Sequence, residues 1–138
     1  MRTRMFVSVS LLVVGLGSGL LASADRVERG TLQSAVVFLT SPTLIGSTIV
    51  EGPVIVVHDA ARMARGEPCT SIRLFDPRSG PLEEVTSFHC IPRPGTVKRQ
   101  FTITTEPNNI DGYGCVLTAY QFASDPEIHG VPLLVRAH

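Results

Sequence analysis

The sequence has 138 residues with no tryptophan and a single lysine, Lys98. Its other basic residues are scattered arginines and histidines, and the 12 Lys and Arg residues are balanced by 12 Asp and Glu residues. A nucleic-acid surface is built from clustered Lys and Arg, which this chain does not have. We therefore expect no nucleic-acid partner.

The motifs of common enzyme and ligand sites are also missing. The sequence contains no Walker, dinucleotide or calcium loop, and no serine in a Gly-x-Ser-x-Gly setting. It has neither Cys-x-x-Cys nor two histidines at the short spacing of a zinc finger. The adjacent acids Glu83 and Glu84 fall at the base of a predicted hairpin, where a solvated edge is the simpler explanation. The sequence thus leaves an enzyme uncertain and favours a binding role without catalysis.

The longest uncharged segment lies at the amino terminus. Arg2 and Arg4 precede an apolar run over residues 5–21, the small residues 22–24 follow, and a polar stretch begins at Asp25. This order is typical of a secretory signal peptide. The run is close to the minimum length of a membrane span, and its three glycines weaken it as a helix. Cleavage is therefore favoured over an uncleaved anchor, which would be the chain's only membrane contact.

We accordingly predict a signal peptide over residues 1–24 and a single exported, β-rich domain over residues 25–138, secreted or periplasmic. No repeat, low-complexity tract or linker divides the second segment. No cysteine lies near the predicted cleavage site, so a lipoprotein is not expected. The expected partner of such a domain is another protein or a component of the cell envelope.

Short apolar runs separated by Pro, Gly, Asn and Asp make up the exported segment, a pattern typical of strands and turns. We predict an all-β fold, either a small β-sandwich or an open Greek-key barrel of about seven strands. One short helix is predicted over residues 59–66, with Asp59 as its N-cap and Gly66 as its stop. The candidate strands cover residues 32–40, 47–50, 54–57, 69–76, 83–91, 97–105, 115–122 and 131–136.

Three cysteines cannot all pair within one molecule. If residues 78–81 form the loop of a hairpin, the antiparallel register places Cys69 directly opposite Cys90, and Ser71 opposite Phe88. Disulfides form in oxidising compartments outside the cytoplasm. We therefore predict a Cys69–Cys90 disulfide, which would stabilise the domain by about 2–4 kcal/mol.

Several imidazole and soft side chains form the remaining candidate site. His58, Met63, His89 and His129 are residue types that bind copper or zinc. In the leading interpretation they are structural and the protein has no cofactor. His58, Asp59 and His129 then form the best binding site, provided that the polar loop carrying His129 approaches the start of the helix.

Two alternatives to a simple binding role remain open. One is a soft-metal protein that holds copper or zinc through His58, Met63 and neighbouring His and Cys residues. The other is a hydrolase with Cys115 as the nucleophile, activated by a histidine. Otherwise we expect Cys115 to be free and buried.

Overall fold

The computed structural model describes residues 32–134. The signal peptide predicted over residues 1–24 lies outside the described residues, as does the end of the strand predicted over residues 131–136. Within the described part, no helix has the length and apolar character needed to cross a membrane.

The described residues form eight strands and one short helix. In chain order these are β1 (Leu32–Ile45), β2 (Thr48–Asp59), α1 (Ala60–Ala64), β3 (Thr70–Asp76), β4 (Gly80–Phe88), β5 (Ile91–Pro94), β6 (Thr102–Pro107), β7 (Cys115–Gln121) and β8 (Glu127–Gly130). The strands make a single sheet in the order β4-β3-β2-β1-β7-β8-β5, with β6 paired to β7. The prediction of an all-β fold with one short helix is confirmed.

β1 and β2 form a long hairpin that continues through residues predicted to interrupt it. The first strand was expected to end at Ser41-Pro42, but it extends to Ile45. The pairing register shifts between Leu39 and Thr43, so Pro42 lies in a bulge, where it takes no place in the regular ladder. Pairing with β2 therefore outweighs the local signal to stop.

Burial in β2 follows the two-residue period of a strand. Val54, Val56 and His58 are buried, while the residues between them are only partly covered. The same core cluster contains Ile72 from β3 and Leu117 from β7, which lie on opposite sides of β1 and β2 in the sheet order. The sheet therefore curls around one shared core, and His58 faces into it.

The β3–β4 hairpin has a different register from the predicted one. Its turn spans residues 77–79 and is stabilised by the Asp76 carboxylate, which accepts a backbone N–H within the turn at 2.8 Å. Two register shifts follow, and Ser71 pairs with Ser87, not with Phe88. The predicted register, which placed the two cysteines directly opposite each other, is wrong because the turn is shorter and the strands are bulged.

The last strand lies earlier in the chain than predicted. Residues 131–134 form no strand, whereas β8 occupies a segment that was predicted to be a polar loop. Within β8, His129 pairs with Tyr120 of β7 on one side and with Pro92 of β5 on the other. This double pairing places His129 in the interior of the fold.

Candidate functional site

Four side chains with nitrogen or sulfur donors meet in the core: His58, Cys69, Cys90 and His129, here called the His–Cys cluster. They are 3%, 3%, 8% and 1% exposed, respectively. The donor atoms of His58 and the two cysteines all lie within 4.8 Å of one another. Cys90 Sγ is 3.6 Å from His129 Nδ1, and the two imidazole rings are 4.3 Å apart between centroids. The donors of His58, Cys69 and Cys90 are thus close enough together for one small ion, and His129 lies beside them through its contact with Cys90.

The connection between β2 and β3 brings the first two members together. His58 is the last inward-facing residue of β2, and Cys69 directly precedes β3. Between them, the Asp59 carboxylate caps α1 by accepting the Ala61 N–H at 2.9 Å. The Asp59 N–H in turn donates to the Cys69 carbonyl at 2.8 Å. The predicted short helix thus reverses the chain and brings His58 and Cys69 to the same end of the sheet.

The two cysteines of the cluster are in contact as separate thiols. Their Sγ atoms are 2.9 Å apart, and the Cys90 N–H donates to Cys69 Sγ at 3.2 Å. A disulfide would bring the sulfurs to about 2.05 Å. Two thiolates on one tetrahedral zinc would lie about 3.8 Å apart, given Zn–S bonds of ~2.3 Å. The predicted disulfide is not formed, and the sulfurs lie between these two distances.

The imidazoles carry unsatisfied polar atoms. Among the described residues, the buried side-chain nitrogen and oxygen atoms without a hydrogen-bond partner are Nδ1 and Nε2 of His58 and Nε2 of His129. A buried polar atom left unpaired costs about 1–3 kcal/mol, and native proteins contain few of them. An ion bound in the cluster would satisfy one of the two His58 nitrogens, whereas His129 Nε2 faces the Asp125 carboxylate at 3.6 Å.

Two carboxylates face His129 from opposite sides. Asp125 Oδ2 is 3.6 Å from its Nε2, and Glu127 Oε1 is 3.6 Å from its Nδ1. Asp125 is itself positioned by the Gln33 amide at 3.1 Å and by the Glu127 N–H at 2.9 Å. Histidines that bind metals usually direct their second nitrogen at such a carboxylate. With Nδ1 facing Cys90 and Nε2 facing Asp125, His129 has this arrangement.

Burial determines the protonation states of the titratable groups in the cluster. It lowers the pKa of His58, with a further contribution from His129, and it also lowers the pKa of His129 itself. Both rings are therefore neutral at pH 7, the form in which imidazole binds metals. Burial, reinforced by the adjacent Cys69, raises the pKa of the Cys90 thiol to about 12. A bound cation would oppose this last effect because it favours the thiolate.

The carboxylate beside His129 stays ionised. Burial alone would raise the pKa of Asp125, but the hydrogen bonds from the Glu127 N–H and the Gln33 side chain lower it below its usual value. The cluster therefore has a fixed negative charge on its outer side. Such a charge favours a cation in the cluster and strengthens His129 as a donor.

Aromatic side chains separate the cluster from water. The Tyr120 ring is stacked on His129, with centroids 4.9 Å apart and an interplanar angle of 9°. Phe122 meets His129 edge-on at 5.9 Å. The Tyr120 hydroxyl is hydrogen bonded to Thr70 Oγ1, and burial raises the pKa of Tyr120, so the ring remains neutral. The cluster is thus enclosed by weakly polar walls, where electrostatic interactions are strong.

The other residues singled out from the sequence lie elsewhere. Met63 packs from α1 against the core, His89 is exposed, and the Asp59 carboxylate is engaged in capping α1. Cys115 is partly exposed, and its Sγ contacts the Thr43 hydroxyl at 3.3 Å. The structure therefore brings His58 and His129 together with the two cysteines, and leaves Met63 and His89 outside the cluster.

All four members were among the candidate residues in the sequence. The leading prediction paired the two cysteines in a disulfide, and only the soft-metal alternative combined His58 and Met63 with neighbouring His and Cys residues. The alternation of Val54, Val56 and His58 was the one local signal for an inward-facing histidine. No family model, curated protein or solved structure matches the chain. The geometry of the His–Cys cluster is therefore the basis for a functional proposal.

Proposed function

We propose that this protein is an exported β domain that binds one zinc ion through the His–Cys cluster and does not act as a catalyst. The proposal depends on one observation: two thiols and two imidazoles come together in the core, and the His58 ring beside the thiols has no hydrogen-bond partner at either nitrogen. Two cysteines and two histidines are one of the standard tetrahedral zinc sets. The role favoured by the sequence, binding without catalysis, is kept in this proposal.

The charge of the site favours Zn²⁺ over Cu⁺. Two thiolates neutralise a divalent ion, whereas they leave a net negative charge around a monovalent one. An uncompensated charge is costly in a buried site. The carboxylates of Asp125 and Glu127 near His129 add further negative charge, which increases the preference for the divalent cation.

The burial of the cluster supports a structural role for the ion. Four protein ligands complete a tetrahedron and leave no position for a substrate, unlike catalytic zinc sites, which keep one position open. The ligands come from β2, the start of β3, the β4–β5 connection and β8. An ion held by all four would tie together segments that are distant in sequence. It would thereby stabilise the fold, since its binding free energy adds to that of folding.

Binding of Co²⁺, a spectroscopic substitute for Zn²⁺, tests this proposal. The reduced protein should take up one Co²⁺ per chain, with the intense thiolate-to-metal absorption and visible bands of a tetrahedral site, and Zn²⁺ should displace it. The variants Cys69→Ser, Cys90→Ser and His58→Gln should lose this spectrum. His89→Gln and Cys115→Ser are matched controls outside the cluster and should keep it.

Two results would count against the proposal. One is the absence of any thiolate-to-metal band in the reduced wild-type protein. The other is a band that the His89→Gln or Cys115→Ser control removes as effectively as Cys69→Ser does. A titration in which Cu⁺ binds at one per chain and Zn²⁺ fails to bind would refute the choice of zinc and support the copper alternative.

A further inference from the structure

The two thiols of the cluster can also react with each other, and this has a consequence for the proposed zinc site. We infer that the site is redox-gated: the Cys69–Cys90 dithiol binds zinc, the disulfide does not, and Cys69 is the thiol that reacts first with an external disulfide. This inference rests on the proposed zinc binding for its regulatory meaning. The disulfide chemistry itself does not depend on zinc.

The sulfur geometry allows both states with small movements. From the observed separation of 2.9 Å, the Sγ atoms must approach by about 0.9 Å to reach a disulfide length of ~2.05 Å. They must separate by a similar distance, about 0.9 Å, to bind one tetrahedral zinc. The two states exclude each other because zinc needs two thiolates, and both sulfurs lose that character when they bond to one another.

A surface cleft lies against one of the two cysteines. Asp59, Arg62, Arg73 and Glu84 line this cleft together with Cys69. Its mixture of two cationic and two anionic side chains suits the charged ends of a small peptide disulfide, such as oxidised glutathione. Cys69 lines this cleft although its side chain is only 3% exposed, so a small movement of the cleft wall would let such a reagent reach its sulfur.

A backbone hydrogen bond holds the two cysteines side by side. The Cys90 N–H donates to Cys69 Sγ at 3.2 Å, so the Cys69 sulfur is kept beside Cys90. The Cys90 sulfur, 2.9 Å away, is then in position to attack the mixed disulfide. The position of Cys69 on the cleft thus assigns the first step to Cys69, and the short distance between the sulfurs assigns the second to Cys90.

Each step of the exchange breaks one disulfide bond and forms another. Cys69 sulfur bonds to one sulfur of oxidised glutathione, and the other leaves as a glutathione thiol. Cys90 sulfur then bonds to Cys69 and expels the second glutathione thiol. Two electrons pass from the cysteine pair to the external disulfide, and the two protons lost by the pair are taken up by the released thiols.

The test uses a Cys115→Ser background, so that only the two cluster cysteines react. After treatment with oxidised glutathione, the protein should lose two hydrogens in mass, have no free thiol and bind no zinc. Reduction with dithiothreitol should restore one zinc per chain. Zinc-loaded protein should be oxidised more slowly than metal-free protein. A Cys90→Ser variant should accumulate a glutathione adduct on Cys69, whereas Cys69→Ser should accumulate far less on Cys90.

The outcomes separate the two proposals. If the fully oxidised protein bound zinc as tightly as the reduced protein, the gate would be refuted while zinc binding stood. Equal adducts in the two single-cysteine variants, or failure of the disulfide to form, would also overturn it. If the reduced protein bound no zinc at all, the proposed function would fail. A His58→Gln variant should lose zinc yet still form the disulfide, which shows that the thiol chemistry is intact.

Discussion

Replacing His58 with leucine would separate the stability cost of burying this imidazole from the benefit that zinc binding would give. His58 is 3% exposed, and neither of its ring nitrogens has a hydrogen-bond partner. Leucine is similar in volume and carries no polar side-chain atom. In the metal-free protein the substitution should therefore be stabilising, which is unusual for a change in a packed core.

The expected magnitude follows from the two nitrogens. At about 1–3 kcal/mol for each unpaired buried atom, their removal is worth about 2–6 kcal/mol. Fitting a branched side chain into the space of a flat ring costs about 1–3 kcal/mol. The difference spans about −1 to +5 kcal/mol with a midpoint near +2, so a net gain is expected, and each kcal/mol raises the melting temperature of a domain of this size by about 4–8 °C.

Thermal unfolding followed by circular dichroism measures this effect, in reductant with a chelator and again with excess Zn²⁺. Without metal, His58→Leu should melt above the wild type. With Zn²⁺ the wild type should gain stability, by about 2.7 kcal/mol at a free concentration of 100 times Kd, and the variant should gain nothing. His89→Leu, at an exposed site, should behave like the wild type. A metal-free His58→Leu protein that melts well below the wild type would refute the reasoning.

Three further predictions concern pH, the Asp125 carboxylate and the turn before β7. The metal-free protein should lose stability as the pH falls below 6.5, by at most about 1.4 kcal/mol per pH unit for each buried histidine. The cause is that the histidines have lowered pKa values in the native state, so the unfolded state binds more protons. Urea unfolding at pH 7.5 and 5.5 measures this loss, and equal stabilities at the two pH values would contradict it. Asp125→Asn should weaken zinc binding about 10–100-fold in a competition titration, by removing the carboxylate that faces His129 Nε2, whereas Glu51→Gln at an exposed site should not. Gly114→Ala should destabilise the fold more than Gly112→Ala in denaturant titrations. Both glycines have positive φ, but a Cβ on Gly114 would lie 2.0 Å from a carbonyl oxygen, whereas a Cβ on Gly112 would have no atom within 4 Å. Equal losses of stability in the two variants would contradict this packing.

Local signals in the sequence predicted the elements that depend on local interactions. Asp59 as an N-cap, the alanine-rich segment and Gly66 predicted α1, because capping and helix propensity act within a few residues. β7 was predicted as a strand over residues 115–122 for a similar reason, since it is a continuous run of strand-forming residues. The breaks at Ser41-Pro42 and the register of β3–β4 were wrong, because pairing between strands allowed bulges that local rules exclude.

The site could be predicted only in part because distant pairings assemble it. His129 belongs to a short segment with few apolar residues, and only its pairing with β7 and β5 makes it a buried strand residue. The sequence has no Cys-x-x-Cys and no closely spaced pair of histidines, which argued against zinc. Such spacings are expected only where a single hairpin or loop supplies the ligands. Here the four ligands come from separate parts of the sheet, so their sequence spacing carries no information about convergence.

The most direct test of the central claim is X-ray absorption spectroscopy at the zinc edge of the reduced, zinc-loaded protein. The His–Cys cluster predicts two sulfur ligands at about 2.3 Å and two imidazole nitrogens at about 2.0–2.1 Å. A spectrum with nitrogen and oxygen ligands alone, or a protein that retains no zinc after gel filtration, would contradict it.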